Sequence, residues 1–472
     1  MSVEWTRQCA PDRLATAVFG LICGVGLVGA FVGLSASSFT ADEIFTAWVI
    51  GTDGDVGGVL RRALTDVHPP LYYFSAFFFS RMTGLDELGM RLLSALCATG
   101  ALLTFILGTR RSFSLAARLF AAASATGSYF WFYHAQNVRS YALTMLIGAG
   151  IVAVSVDLIS RSTGERKLRH SVIAGLFGLC VLEAAVHFYG LLVGIATLLA
   201  LSAAIPARRL VFLALAAALV ILGGAYIEFV ERRFVSPDVN SSWIGSSPAW
   251  YRDQLIGAAI QGLGRGTKFI IGVCLLTGCV AFWTNRRAPL QNRHALAALL
   301  ITGSVPVLVF VGGFLSSLLF QPSLTDRNVL VSVPFVWGGF AALYDLAVGP
   351  APSSAKYAAN GLIAICLLLG ASMVTTRGLA MNEPFGESAS WIEKAFPECR
   401  NQKLLAIAAV KHGPPAQEPA LWGGHLYSSF LRGFASAKVE YLSDVAADGE
   451  TVALLRDRSR PGACPEIGRA HV

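Results

Sequence analysis

The sequence predicts a polytopic all-α membrane protein of the inner membrane. Three observations carry this. Of 472 residues, 54% are hydrophobic and only 14% charged, where a soluble chain carries about 25% charged residues. Mean hydropathy is +0.59. Apolar stretches near the length that crosses a hydrocarbon core as a helix recur along the chain. Disordered, collagen-like and coiled-coil classes fall at the same step. The formal charge of +8 would suggest nucleic acid in a soluble protein, but here it has another cause, visible below.

Eleven spans are expected, at 14–36, 90–108, 113–132, 139–159, 171–187, 189–205, 210–229, 267–284, 294–317, 328–347 and 357–376. The first continues as an anchor and needs no cleavage. Pro69–Ser80 is apolar but twelve residues long and opened by two prolines, so it is expected to lie in the interface. That choice puts Arg110, Arg111, Arg161, Arg166, Lys167, Arg169, Arg208, Arg209, Arg286, Arg287, Arg293 and Lys356 on the side of the N-terminus. The excess of positive residues in cytoplasmic loops makes that side the cytoplasm. The basic surplus is then spent on short inner loops, and no nucleic-acid face remains.

The periplasmic side receives a loop at 37–89, a turn at 133–138, a loop at 230–266, a turn at 318–327 and the stretch from 381. The chain therefore divides into a transmembrane domain, 1–380, and a small periplasmic α/β cap, 381–472. In the cap, Glu383–Phe396 has helical spacing, while Leu404–Val410 and Val452–Leu455 read as strands. Six of nine cysteines fall in spans and Cys9 in the cytoplasm. Cys399 and Cys464 alone face the oxidising side and are expected to form a disulfide.

Several polar residues sit where the membrane makes them costly. Asp42-Glu43 follows the first span and precedes an apolar run, and a carboxylate there can take a proton from a hydroxyl. Asp66-Val-His68-Pro-Pro-Leu-Tyr72-Tyr73 holds an acid and a histidine at the start of the interfacial segment. Arg91, Arg139 and Arg327 stand at outer span ends, against the charge rule, and suit a lipid-linked phosphate, which guanidinium groups bind in bidentate fashion. Glu183 and His187 share a helix face inside a span. Solvated edges, headgroup snorkelling and a self-satisfied Glu–His pair are the plainer accounts of these features.

The order and spacing of these elements resemble the bacterial branch of the GT-C membrane glycosyltransferases, the group with the protein O-mannosyltransferases and lipid A aminoarabinose transferases. The likeness rests on the acidic pair after the first span, His68–Tyr73, Arg91-Leu-Leu-Ser, Tyr133-His-Ala-Gln-Asn-Val-Arg-Ser-Tyr141-Ala-Leu and Asp326-Arg-Asn-Val-Leu before Pro334.

The resemblance implies a GT-C fold and inverting transfer of a sugar from a polyprenyl-phosphate donor, at the periplasmic face, to a glycolipid, polysaccharide or protein. Asp42 would be the general base and Glu43 its neighbour. Arg91, Arg139 and Arg327 would meet donor phosphate, and His68, Tyr72 and Tyr73 would line the mouth. Tyr141, Glu183 and His187 complete the expected substrate-binding set. Many relatives carry Glu where this chain has Asn137, which leaves Arg139 freer or alters what is read. No cofactor is expected. A divalent cation on Asp42, Glu43 and Asp66 lacks a firm ligand set. A secondary transporter and a non-catalytic envelope scaffold are the competing readings. The first lacks an internal repeat.

Overall fold

The computed structural model describes residues 13–37, 39–51, 55–64, 66, 68–163, 169–233, 244–263, 267–284, 293–320, 322–378, 405–408, 438–441 and 467–468. In chain order the helices are α1 (Arg13–Gly29), α2 (Ala41–Ile50), α3 (Val56–Ala63), α4 (Leu71–Thr83), α5 (Glu87–Gly108), α6 (Leu115–Thr126), α7 (Tyr129–Ala135) and α8 (Tyr141–Thr163). They continue as α9 (His170–Val186), α10 (Phe188–Ala204), α11 (Arg209–Arg233), α12 (Pro248–Leu263), α13 (Thr267–Thr284), α14 (Arg293–Leu319), α15 (Asp326–Val329), α16 (Val333–Ala347) and α17 (Ser353–Gly378).

Six described helices are long and apolar enough to cross a membrane, or seven if the pair α12–α13, bent by 75°, counts as one span. Apolar side chains stand fully outward on them and on the shorter helices, Leu210 81% and Trp283 83% exposed, as a lipid-facing surface requires. The eleven expected spans differ from this count for a local reason. The stretch 113–132 is two helices: α6 ends at Gly127, and the Ser128 hydroxyl accepts from Trp131 N–H to start α7. The helices α1, α9 and α10 have 17 residues each, or about 25 Å at 1.5 Å per residue, short of a full hydrocarbon core.

The central helix α8 packs against α5, α9, α14 and α16. Small residues allow the closest approaches, a device common where helices meet in lipid. A Cβ at Gly26 would meet Thr126 at 2.3 Å, and one at Gly190 would meet the Glu183 carbonyl oxygen at 2.2 Å. Gly190 thus seals the joint between α9 and α10, where His187 alone is extended (φ −153°, ψ 137°).

The expected loop 37–89 holds three helices. Gly51 and Gly84 end α2 and α4 with φ of +64° and +96°, a conformation that favours glycine. These helices have their own small core of Ile44, Val49, Ile50, Val59, Tyr73 and Phe77, which closes onto the bundle end through Val138 and Val186. The helix at Leu71–Thr83 falls where the interfacial segment is expected. The expected loop 230–266 contains α12, whose indole Trp250 Nε1 donates to Leu324 O at 3.0 Å.

Beyond α17 the described backbone is three short parallel strands in the order β2-β1-β3: β1 (Leu405–Ala408), β2 (Lys438–Tyr441) and β3 (Ile467–Gly468). The first falls on the expected strand, and the other two were not expected. Glu383–Phe396, Val452–Leu455, Cys399 and Cys464 lie outside the described residues, and the expected disulfide with them. Among the span cysteines, Cys23, Cys97, Cys180, Cys274, Cys279 and Cys366 are all free thiols.

Candidate active site

Helix α2 turns the two adjacent acids in different directions, since consecutive helical residues lie about 100° apart. Glu43 faces inward and is wholly buried. Its carboxylate accepts from Arg91 Nε at 2.8 Å and Arg91 Nη2 at 2.7 Å, from Thr40 N–H at 2.8 Å and from Val138 N–H at 3.1 Å. Arg91 is equally enclosed, 3% exposed, and its Nη1 donates to Leu34 O at 2.9 Å and Ser37 O at 2.8 Å. Burial of two charges costs several kcal/mol unless every lone pair and N–H finds a partner, and here they do. The pair locks the turn that follows α1, the start of α2 and the first turns of α5. Arg91, expected at donor phosphate, lies inside the protein with its guanidinium spent on these partners.

Asp42 is instead half-exposed and meets Arg327, Nη1 to Oδ2 3.4 Å, with side chains 45% and 52% exposed. An open, long pair of this kind is worth little in stability, so both groups stay available to a ligand. Arg327 is presented by α15, started by Thr325, whose hydroxyl accepts from Asn328 N–H. Asp326 beside it is held from α12 by Gln261 Nε2, and its N–H donates to Gln254 Oε1 at 2.9 Å. These two glutamines were not foreseen. Their spacing of seven in an apparent loop was the available signal.

Arg139 lies in the turn between α7 and α8. That turn is tied to the last residue of α1 by Gln136 Nε2, which donates to Gly29 O at 3.1 Å, and to α2 through both backbone groups of Val138, Glu43 taking the N–H and Thr46 Oγ1 donating to the carbonyl at 2.9 Å. No described residue hydrogen-bonds its guanidinium. Burial works against its charge, but the facing Asp42, Tyr73, Asp66 and Tyr141 outweigh this and raise it above an ordinary arginine. The acidic pair therefore has two tasks: Glu43 builds the frame that places Arg139, and Asp42 faces it.

Asp66 is the third charged centre. Its Oδ2 accepts from His68 N–H at 3.2 Å, sits 3.0 Å from His68 Nδ1 and accepts the Tyr73 hydroxyl. Burial pushes its carboxyl up, and His68, Arg139 and the Tyr73 hydroxyl more than reverse this, holding it down at about 2. Tyr72 and Tyr73 are both buried, so they form the core of this segment more than an open rim.

Beneath lies a row of rings: His68 to His187 5.1 Å, His187 to Tyr141 5.3 Å and Tyr141 to His134 4.2 Å between centroids. His187 Nδ1 accepts Tyr189 N–H at 3.1 Å. Glu183, wholly buried, has neither carboxyl oxygen hydrogen-bonded and lies against Gly148 and Gly190. The structure thus brings Asp42, Arg139, Arg327, Asp66, His68, Tyr141 and His187 to one end of the bundle. It encloses Glu43, Arg91 and Glu183. Among the described residues no three His, Cys, Asp or Glu side chains gather as a metal ligand set.

No family model and no curated protein matches the sequence. Solved structures do match. The crystal structure of ArnT from Cupriavidus metallidurans bound to undecaprenyl phosphate aligns with a TM-score of 0.55 at 14% identity, over 93% of this chain and 88% of that one. Its apo state aligns at 0.53 and 15%, over 94% and 88%. Identity this low speaks for the fold alone, and the likeness covers nearly the whole chain: the architecture is the multi-pass helical fold of ArnT.

Proposed function

We propose that the protein transfers a sugar from a polyprenyl-phosphate donor to an envelope acceptor (glycolipid, polysaccharide or protein) at the periplasmic face of the inner membrane. The observation that carries this is Asp42, a half-exposed carboxylate set against Arg327 at 3.4 Å and facing Arg139. A base and two cations at one membrane edge supply what the reaction needs: removal of the acceptor proton and stabilisation of a phosphate as it departs. Asp42 takes the proton of the acceptor hydroxyl. The oxygen attacks the anomeric carbon from the face opposite the phosphate, so a single displacement inverts that centre.

Arg139 and Arg327 hold the donor phosphate; no described residue hydrogen-bonds the Arg139 guanidinium, which suits a bidentate contact. Glu43 and Arg91 set the frame, and Tyr141 and His187 form part of the wall beside the sugar. The ArnT structure holding undecaprenyl phosphate supports a lipid phosphate as the ligand. The positive-inside distribution of loop charges supports the periplasmic side.

The test is sugar release from a panel of undecaprenyl-phosphate-linked sugars by purified protein in lipid nanodiscs. Asp42→Asn is expected to lower turnover roughly 10²- to 10⁴-fold while undecaprenyl phosphate still binds. Arg139→Ala is expected to weaken that binding. Full turnover by Asp42→Asn would remove the base from the reading.

A further inference from the structure

Arg327 is carried by a segment that has no regular structure of its own to hold it. Ser323 and Leu324, between α14 and α15, belong to neither helix nor strand, so no ladder satisfies their backbone, and buried N–H and C=O groups need partners. Side chains from three separate helices meet all four groups. On α14, Ser317 Oγ accepts from Ser323 N–H at 3.0 Å and from Leu324 N–H at 2.9 Å. On α15, Asn328 Nδ2 donates to Ser323 O at 2.8 Å, and on α12, Trp250 Nε1 donates to Leu324 O at 3.0 Å.

One turn before Ser317, Gly313 lies on the same face of α14. A Cβ there would meet Leu324 Cδ1 at 2.9 Å and the Tyr189 hydroxyl at 2.7 Å. Helix α14 thus forms a seat: Gly313 leaves room for the Leu324 side chain, which is wholly buried, and Ser317 binds its N–H. Helix α15 cannot do this holding. It has four residues, of which Arg327 is the second, and one turn of helix is too short to stand alone. By contrast, α14 has 27 residues and is long and apolar enough to cross the membrane.

Resting on the reading that Arg327 holds the donor phosphate, we propose that Ser317 is the positioning residue of that guanidinium. Its hydroxyl, with Asn328 gripping the same segment from the other side, fixes Ser323-Leu324 against a membrane-crossing helix and so sets where α15 presents Arg327, 3.4 Å from Asp42 Oδ2. Ser317 is buried and its hydroxyl is spent on two N–H groups, so it acts through Arg327 and not on the ligand. A hydroxyl that served only to close the chain after α14 would be energetically independent of Arg327.

The test is a double-mutant cycle on binding of undecaprenyl phosphate to the full-length protein in nanodiscs. Arg327→Ala is expected to weaken binding about 10- to 100-fold, the scale of a hydrogen bond to a charged group. Ser317→Ala and Asn328→Ala are each expected to cost about three- to tenfold, a part of that same contact, and to cost nothing further in the Arg327→Ala background. If Ser317→Ala fails to fold, Asn328→Ala, which removes one bond from the outer side of the segment, decides alone. Losses that persist undiminished in the Arg327→Ala background, or no loss in either single variant, overturn the positioning role and leave Arg327 as a phosphate contact. Arg327→Ala that binds the lipid as tightly as the wild type instead overturns the reading of Arg327 itself, and this inference falls with it.

Discussion

Glu43 and Asp42 are neighbours with opposite fates, and the difference is hydrogen-bond supply. Glu43 accepts from Arg91, Thr40 and Val138, all within 3.1 Å. Among the described residues Asp42 has one long, open hydrogen-bond partner. Removing one member of a buried pair strands the other charge and costs about 3–5 kcal/mol, so Glu43→Gln and Arg91→Leu are each expected to lower the unfolding temperature sharply in detergent. The double variant should recover part of the loss. A thermal-shift double-mutant cycle checks this, and additive effects would refute the coupling. The adjacency of the two acids was legible in the sequence. Which one was structural was not, because Arg91 lies 48 residues away and its approach depends on how α5 packs on α2.

Among the elements, the joint between α9 and α10 is the most constrained. A side chain at Gly190 would place Cβ 2.2 Å from the Glu183 carbonyl oxygen, a backbone atom that cannot move aside, whereas nothing lies within 4 Å of a Cβ at Gly175 on α9. Gly190→Ala is expected to destabilise by about 1–3 kcal/mol, as overpacked sites do. Gly175→Ala should be neutral or slightly stabilising through helix propensity. Thermal unfolding of the two variants separates them, and equal effects would contradict the packing. The hydropathy pattern found both helices and the near-continuity of the pair. It did not find α12, because a helix of 16 residues that packs on α15 is too short to read as a span by itself. Its glutamines are explained only by Asp326.

For the whole molecule, the proposed orientation rests on loop charge, and it makes a test independent of chemistry. Cysteine at exposed Asp55, between α2 and α3, should react with a membrane-impermeant maleimide in intact cells once the native thiols are replaced. Cysteine at exposed Arg110, between α5 and α6, should react only after permeabilisation. Labelling of Arg110→Cys in intact cells would invert the topology and place Asp42 on the cytoplasmic side. The same arrangement explains why the fold tolerates so many small residues: lipid offers no hydrophobic drive between helices, so close packing of Gly and Ala carries the contact.

Composition and periodicity by themselves determined the membrane class and the short inventory of charged residues near the helix ends. These are local quantities, read from neighbours along the chain. Tertiary structure alone decided that Arg91 is an internal strut while Arg327 stays half-exposed, and that Asp42 meets a residue 285 positions later. Such contacts arise from the packing of separate helices, where shape and the demand that every buried polar group find a partner choose among arrangements that the linear sequence leaves equal.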